Sequence, residues 1–186
     1  GTTFSFTPDD DGFYVVTLLV SDEDGGSDTV TADITITDVA PTIEVSGAAA
    51  VDEGSSYAFT LGAVTDPGDD TVTSYIVHWG DGTQDTYDTA GQKTHTYADG
   101  ALAATITVDL VDEEGIHASA GTLAVTVNNI SPTITVSGNN AVNEGSQYTL
   151  TIDPATDPGD DAISDYIVHW GDGTSDTYHT AGDKTH

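Results

Sequence analysis

The stretch Asp66–Tyr87, DPGDDTVTSYIVHWGDGTQDTY, returns at Asp157–Tyr178 as DPGDDAISDYIVHWGDGTSDTY. The likeness is wider than these two lines. TIEVSGAAAVDEGSSYAFTL from Thr42 aligns with TITVSGNNAVNEGSQYTLTI from Thr133, and the register holds without a gap to His95 and His186. The period is about 91 residues, which suits one small domain per repeat, and about two-thirds of the aligned positions are identical. Before them, VSDEDGGSDTVTADITITDVAP parallels LVDEEGIHASAGTLAVTVNNISP with a one-residue slip. The chain therefore reads as an excerpt of a longer array: the back part of a repeat at 1–41, a complete repeat at 42–132, and the front part of another at 133–186.

Within the complete repeat, apolar residues alternate with polar ones, the mark of strands with one face buried. Leu102, Ala104, Ile106, Val108 and Leu110 share a face, as do Leu123, Val125 and Val127. Tyr14, Val16, Leu18 and Val20, and then Val30, Ala32, Ile34 and Ile36, repeat the pattern in the first segment. Strands are expected near Thr42–Ser46, Tyr57–Leu61, Thr73–Trp79, Gln84–Tyr87, Lys93–Tyr97, Leu102–Val111 and Thr122–Val127. Seven short strands per repeat and no competing helical period give an all-β fold of tandem sandwiches. Asp81-Gly82 in WGDGT predicts a type I′ hairpin turn. Trp79, in line with Tyr75 and Val77, is expected as a core plug.

Charge narrows the function. With 32 Asp+Glu against 2 Lys+Arg, the net charge is -30, which excludes nucleic acid and anionic membrane surfaces as partners. Most of the acid is aspartate in glycine-bearing turns, a bias toward cation ligands; a salt-adapted surface is the secondary reading. Without cysteine there is no disulfide framework and no thiolate metal site. No apolar run is long enough to cross a bilayer as a helix.

WGDGT, followed by THTYADG and ITVDLVDEEG, resembles the polycystic kidney disease (PKD) domain family, although Val77 and Val168 stand where many members have a further tryptophan. The resemblance covers the whole chain and implies a seven-stranded immunoglobulin-like β-sandwich. It also implies an extracellular or cell-surface module, used in tandem as a spacer or adhesive stalk or attached to a secreted hydrolase. It further implies calcium between the loop before the tryptophan strand and the Asp-x-x-Gly turn, here Asp66, Asp69, Asp70 and Asp112. The residues themselves agree, because calcium takes roughly six to eight oxygens and Pro-Gly bends the loop so that its acids can converge. Asp157, Asp160 and Asp161 repeat the loop; Glu53, Glu144 and Asp22 complete the candidate ligand set. A solvated acidic loop that binds nothing is the competing reading.

The histidines are weak metal candidates. His78 and His169 fall on the outward strand face, His95 and His186 belong to a structural His-x-Tyr step, and His117 and His179 read as ordinary surface residues. No nucleophile elbow, phosphate cradle or zinc-protease motif is present, so the reading is non-enzymatic. A structural fibre segment, whose partners are neighbouring repeats or copies of itself head to tail, is expected over a module binding polysaccharide or a cell-surface protein. Only Tyr87 and Tyr178 suggest exposed aromatics for sugar. The linkers TDVAPTIEV and VNNISPTITV leave little slack, so neighbouring repeats should touch; Asn129-Ile130-Ser131 is a glycosylation sequon.

Overall fold

The computed structural model describes residues 3–186, and among them every regular element is a strand. In the first segment β1 (Gly12–Ser21) and β2 (Ser27–Ile36) form an antiparallel hairpin, from Gly12 opposite Ile36 to Ser21 opposite Ser27. The middle repeat supplies β3 (Thr42–Gly47), β4 (Ala50–Asp52), β5 (Ser56–Thr65), β6 (Ser74–His78), β7 (Gln84–Tyr87), β8 (Gly91–Thr96), β9 (Leu102–Val111) and β10 (Ile116–Asn128). Its two sheets run β4-β10-β9-β6-β7 and β3-β5-β8, consistent with a β-sandwich. The third repeat supplies β11 (Val136–Gly138), β12 (Thr149–Ile152), β13 (Tyr166–His169), β14 (Ser175–Tyr178) and β15 (Gly182–Thr185), in sheets β11-β12-β15 and β13-β14.

The seven strands expected for the middle repeat are all present, and an eighth is added. Strand β4 pairs in parallel with β10, Ala50 opposite Thr126 and Asp52 opposite Asn128. Three residues are too few to carry a readable alternation, so parallel pairing to a distant strand leaves no local signal.

The chain divides into two compact units that cut across the repeats. One comprises Gly1–Gly47, Ala58–Lys93 and Thr105–Ala124; the other comprises Ala48–Tyr57, Thr94–Ala104 and Val125–His186. In the first, Phe59, Leu61, Tyr75, Val77, Trp79, Ile106, Val108 and Leu110 are buried, in agreement with the alternation. Trp79 is fully enclosed, its ring edge-on to Phe59 at 5.6 Å, and its indole N–H donates to Asp85 Oδ2 at 2.8 Å. The ring thus adds apolar area without stranding its one polar atom. In the second unit the core is built on Tyr57, Tyr97, Ala104, Val125, Val127 and Ile152. Tyr57 and Tyr97 meet edge to face at 6.0 Å, and the Tyr57 hydroxyl donates to the Ala48 carbonyl at 2.9 Å.

The WGDGT turn differs from the type I′ expectation. Positive φ belongs to Gly80 (83°) and Gly82 (94°), not to Asp81. The Trp79 N–H donates to the Thr83 carbonyl across the turn at 3.1 Å. Asp81 Oδ1 accepts from both the N–H and the hydroxyl of Thr83. Aspartate here braces a five-residue turn through its side chain, and the two glycines take the left-handed conformation that it would otherwise adopt at a steric cost. WGDGT at Trp170–Thr174 does the same.

Trp79→Ala is expected to lower stability by about 3–5 kcal/mol, the range for losing a buried aromatic ring. Trp170, half-buried and stacked on His186 at 4.7 Å, should be less costly to lose. Urea unfolding of the two variants checks the order.

Candidate metal sites where repeats meet

Two groups of carboxylates form around the DPGDD loops, one in each unit. In the first unit Asp66 lies at the start of its loop, where Oδ1 accepts the Gly68 N–H at 3.1 Å. Its Oδ2 is shut off from solvent and has no hydrogen-bond partner, and Asp38 Oδ1, in the linker, is in the same condition. Asp112, buried at the β9–β10 turn, receives the N–H groups of Glu114 and Gly115 on Oδ1 and the His117 ring on Oδ2 at 2.7 Å. Asp70 can share a cation with Asp10 and Asp11, or with Glu113 and Glu114, the oxygens of each set lying within 4.8 Å of one another.

The electrostatics fit this crowding. Desolvation, and then the charges of Asp66, Asp10, Asp38 and Glu113, push the Asp70 carboxyl up to about 6. Glu114 is raised by desolvation and by Asp70. Desolvation opposes ionisation of Asp112, yet hydrogen bonds from His117, Gly115 and Glu114 hold it below its ordinary value. His117 is raised chiefly by its hydrogen bond to Asp112, with help from Asp38 and Asp66.

In the second unit the central residue is Glu53, whose side chain is fully buried. Its Oε2 accepts the Gly100 N–H at 2.5 Å and its Oε1 accepts the Ile130 N–H at 2.7 Å, the latter in the linker to the third repeat. Asp157 and Asp161 of the third repeat each bring an oxygen within 4.8 Å of the Glu53 carboxylate. The loop is fitted closely to the middle repeat. Asp160 N–H donates to the Ala98 carbonyl at 2.8 Å, and a side chain on Gly159 would run into Glu53. Gly54, at φ +67°, leaves room for the Pro158 carbonyl. Asp157 repeats the behaviour of Asp66: Oδ1 accepts the Gly159 N–H at 2.9 Å, while Oδ2 is enclosed and unpartnered.

The expected ligand set is thus divided. Asp66, Asp70 and Asp112 lie in one unit, where Asp70 alone of the three joins a set of converging oxygens, and Asp157 and Asp161 lie in the other, both in the set with Glu53. Glu53, from the candidate ligand set, meets the DPGDD loop of the following repeat. Asp69, Asp160 and Glu144 are exposed and join none of these groups among the described residues. Asp22 is exposed and spends Oδ1 on the N–H groups of Asp24 and Gly26. Sequence reasoning missed Asp10, Asp11, Asp38, Glu113 and Glu114, although the run PDDDG was a visible signal for the first two. It also took His117 for a surface residue, whereas its side chain is largely buried against Asp112.

The outward histidine His78 pairs with Asp109 at 2.9 Å. Tyr87 and Tyr178, expected as exposed aromatics, are half-buried, with Lys93 Nζ 4.6 Å and Lys184 Nζ 4.8 Å from the respective ring centres. Among the described residues no helix is long and apolar enough to cross a membrane. Comparison with protein-family models gives no match, and comparison with curated protein sequences gives none either.

Glu53→Ala is expected to destabilise the protein, because two part-buried N–H groups lose their acceptor, each at a cost of up to about 1–3 kcal/mol; chemical unfolding measures it. The His117–Asp112 pair should act within a pH window. A raised histidine stabilises the fold below its ordinary pKa, and that contribution is lost as pH rises through the raised value. A lowered aspartate contributes above its ordinary pKa and loses this as pH falls through the lowered value. The stability difference between the wild type and His117→Asn should therefore be largest between the two ordinary pKa values and shrink at alkaline pH, as read by urea unfolding across pH in chelator.

Proposed function

We propose that the chain is a structural segment of a tandem array of PKD-like, immunoglobulin-like β-sandwiches, a stalk of an extracellular or cell-surface protein, in which calcium ties each repeat to the next. The observation that carries this reading is the pair of enclosed, unpartnered carboxylate oxygens at equivalent positions, Asp66 Oδ2 and Asp157 Oδ2. An enclosed anionic oxygen without a donor is costly unless an ion meets it. The neighbouring acids, Glu53 and Asp161 beside Asp157 and Asp70 beside Asp66, offer hard oxygens of the kind calcium takes. Asp157, Asp161 and Glu53 would hold the ion at one joint, and Asp66, Asp70 and their neighbours at the other. The ion would supply charge neutralisation across the joint.

Glu53 belongs to one repeat and Asp157 and Asp161 to the next, so a shared cation would resist bending there. A sugar-binding role would draw on open aromatic faces, and the lysines over Tyr87 and Tyr178 occupy the two best candidates.

Calcium should raise the thermal midpoint relative to chelator at equal ionic strength, since a ligand of the folded state stabilises it by mass action. Asp157→Asn should remove most of the effect at its joint. The effect should also weaken as pH falls through about 6, where Asp70 takes up a proton and competes with the ion. Equal melting with and without calcium would leave the clusters as charged loops and end the calcium reading.

A further inference from the structure

We infer that Glu53 couples the DPGDD loop of the third repeat to the linker that leads into it, so that this joint opens and closes as one unit. Four stretches of chain meet at the β4–β5 turn. Glu53 N–H donates to the Asn128 carbonyl at 3.0 Å and Gly54 N–H to the Tyr97 carbonyl at 2.9 Å, which anchors the turn to the end of β10 and to the residue after β8. From that anchored turn the Glu53 side chain reaches further. Its Oε2 accepts the Gly100 N–H ahead of β9, and its Oε1 accepts the Ile130 N–H in the linker. The loop closes over the same point, with Asp160 N–H bound to the Ala98 carbonyl.

Three glycines let these stretches come so close. A side chain on Gly159 would meet Glu53 Cδ at 2.6 Å, one on Gly100 would meet the Asn129 backbone nitrogen and Glu53 Oε2 at 2.6 Å, and one on Gly54 would strike the Pro158 carbonyl. Each obstacle is backbone or a carboxylate with both oxygens engaged, so none can swing aside. Gly68, at the place of Gly159 in the middle repeat's own loop, differs: what its side chain would meet first is Asp70 Oδ2, the far end of a side chain. Coupling follows from the charge on Glu53. Two N–H groups neutralise part of it, while Asp157 and Asp161 bring oxygens within 4.8 Å. If the linker lifts from Oε1, the three acids repel one another more strongly and the loop loosens. If the loop lifts, water reaches the carboxylate and competes with Gly100 and Ile130 for it. Desolvation and the charges of Asp99, Glu53 and Asp157, which raise the Asp161 carboxyl, show how nearly balanced the closed joint is.

This goes beyond the stalk reading and holds with or without an ion at the joint. The test is amide hydrogen exchange followed by NMR on the full 186-residue chain, in calcium and in chelator. In each condition the amides of Gly100, Ile130 and Asp160 should share one opening equilibrium. Glu53→Gln keeps the shape but offers one acceptor oxygen in place of two, and should speed exchange at all three by about tenfold or more. Asp160 decides the matter, because its own acceptor is Ala98 and not Glu53. Gly159→Ala should act from the loop side and speed exchange at Ile130, which it does not touch, whereas Gly68→Ala should leave all three as in the wild type. The Trp79 amide, bound across the WGDGT turn in the other unit, reports general loss of stability and should change far less. Asp160 unmoved in Glu53→Gln, Ile130 unmoved in Gly159→Ala, or Trp79 moving as far as either would overturn the inference. A failure of calcium to shift melting would leave these comparisons untouched.

Discussion

A sheet with one apolar face must find a second sheet, and that requirement orders most of what is seen here. In the middle repeat β9 supplies Ile106, Val108 and Leu110, β6 supplies Tyr75 and Val77, and β5 supplies Phe59 and Leu61; all are buried. The hairpin β1–β2 and the sheets of the third repeat carry the same alternation, yet much of their apolar surface is open. The sequence periodicity is equal in the three segments. The same alternation thus ends in different burial, so burial depends on what packs against a strand and not on the strand alone.

The acidic residues follow a second constraint. A chain of net charge -30 repels itself on folding, yet the structure brings carboxylates together at the DPGDD loops. Backbone N–H groups neutralise part of this charge: Gly100 and Ile130 at Glu53, Gly68 at Asp66, Gly159 at Asp157, Glu114 and Gly115 at Asp112. His117 adds the one basic group at Asp112. The enclosed oxygens left over, at Asp38, Asp66 and Asp157, mark the places where these donors run out.

Much of the fold was legible because alternation is local: Tyr75, Val77 and Trp79 announce a buried face within five residues. Strand β4 was not, since its partner lies far along the chain and its length is three residues. The candidate sites were half legible. The DPGDD loops declare themselves by composition and repetition, but the destination of Glu53 depends on how one repeat meets the next, which no periodicity encodes. His117 has no histidine counterpart in the other segments, so repetition gave it no weight; its role comes from the β9–β10 turn that sets it beside Asp112.

The placement of the two lysines carries a consequence for durability. Lys93 lies in β8 and Lys184 in β15, each half-buried over a tyrosine ring, and the chain has no other lysine or arginine. A protease that cuts after basic residues therefore meets two peptide bonds in 186 residues, both inside strands whose backbone must leave its sheet before it can enter an active-site cleft. Scarcity of cleavable bonds and their burial in hydrogen-bonded backbone act together, so exposure to such enzymes would be governed by the opening of these strands and hardly at all by the acidic loops between them.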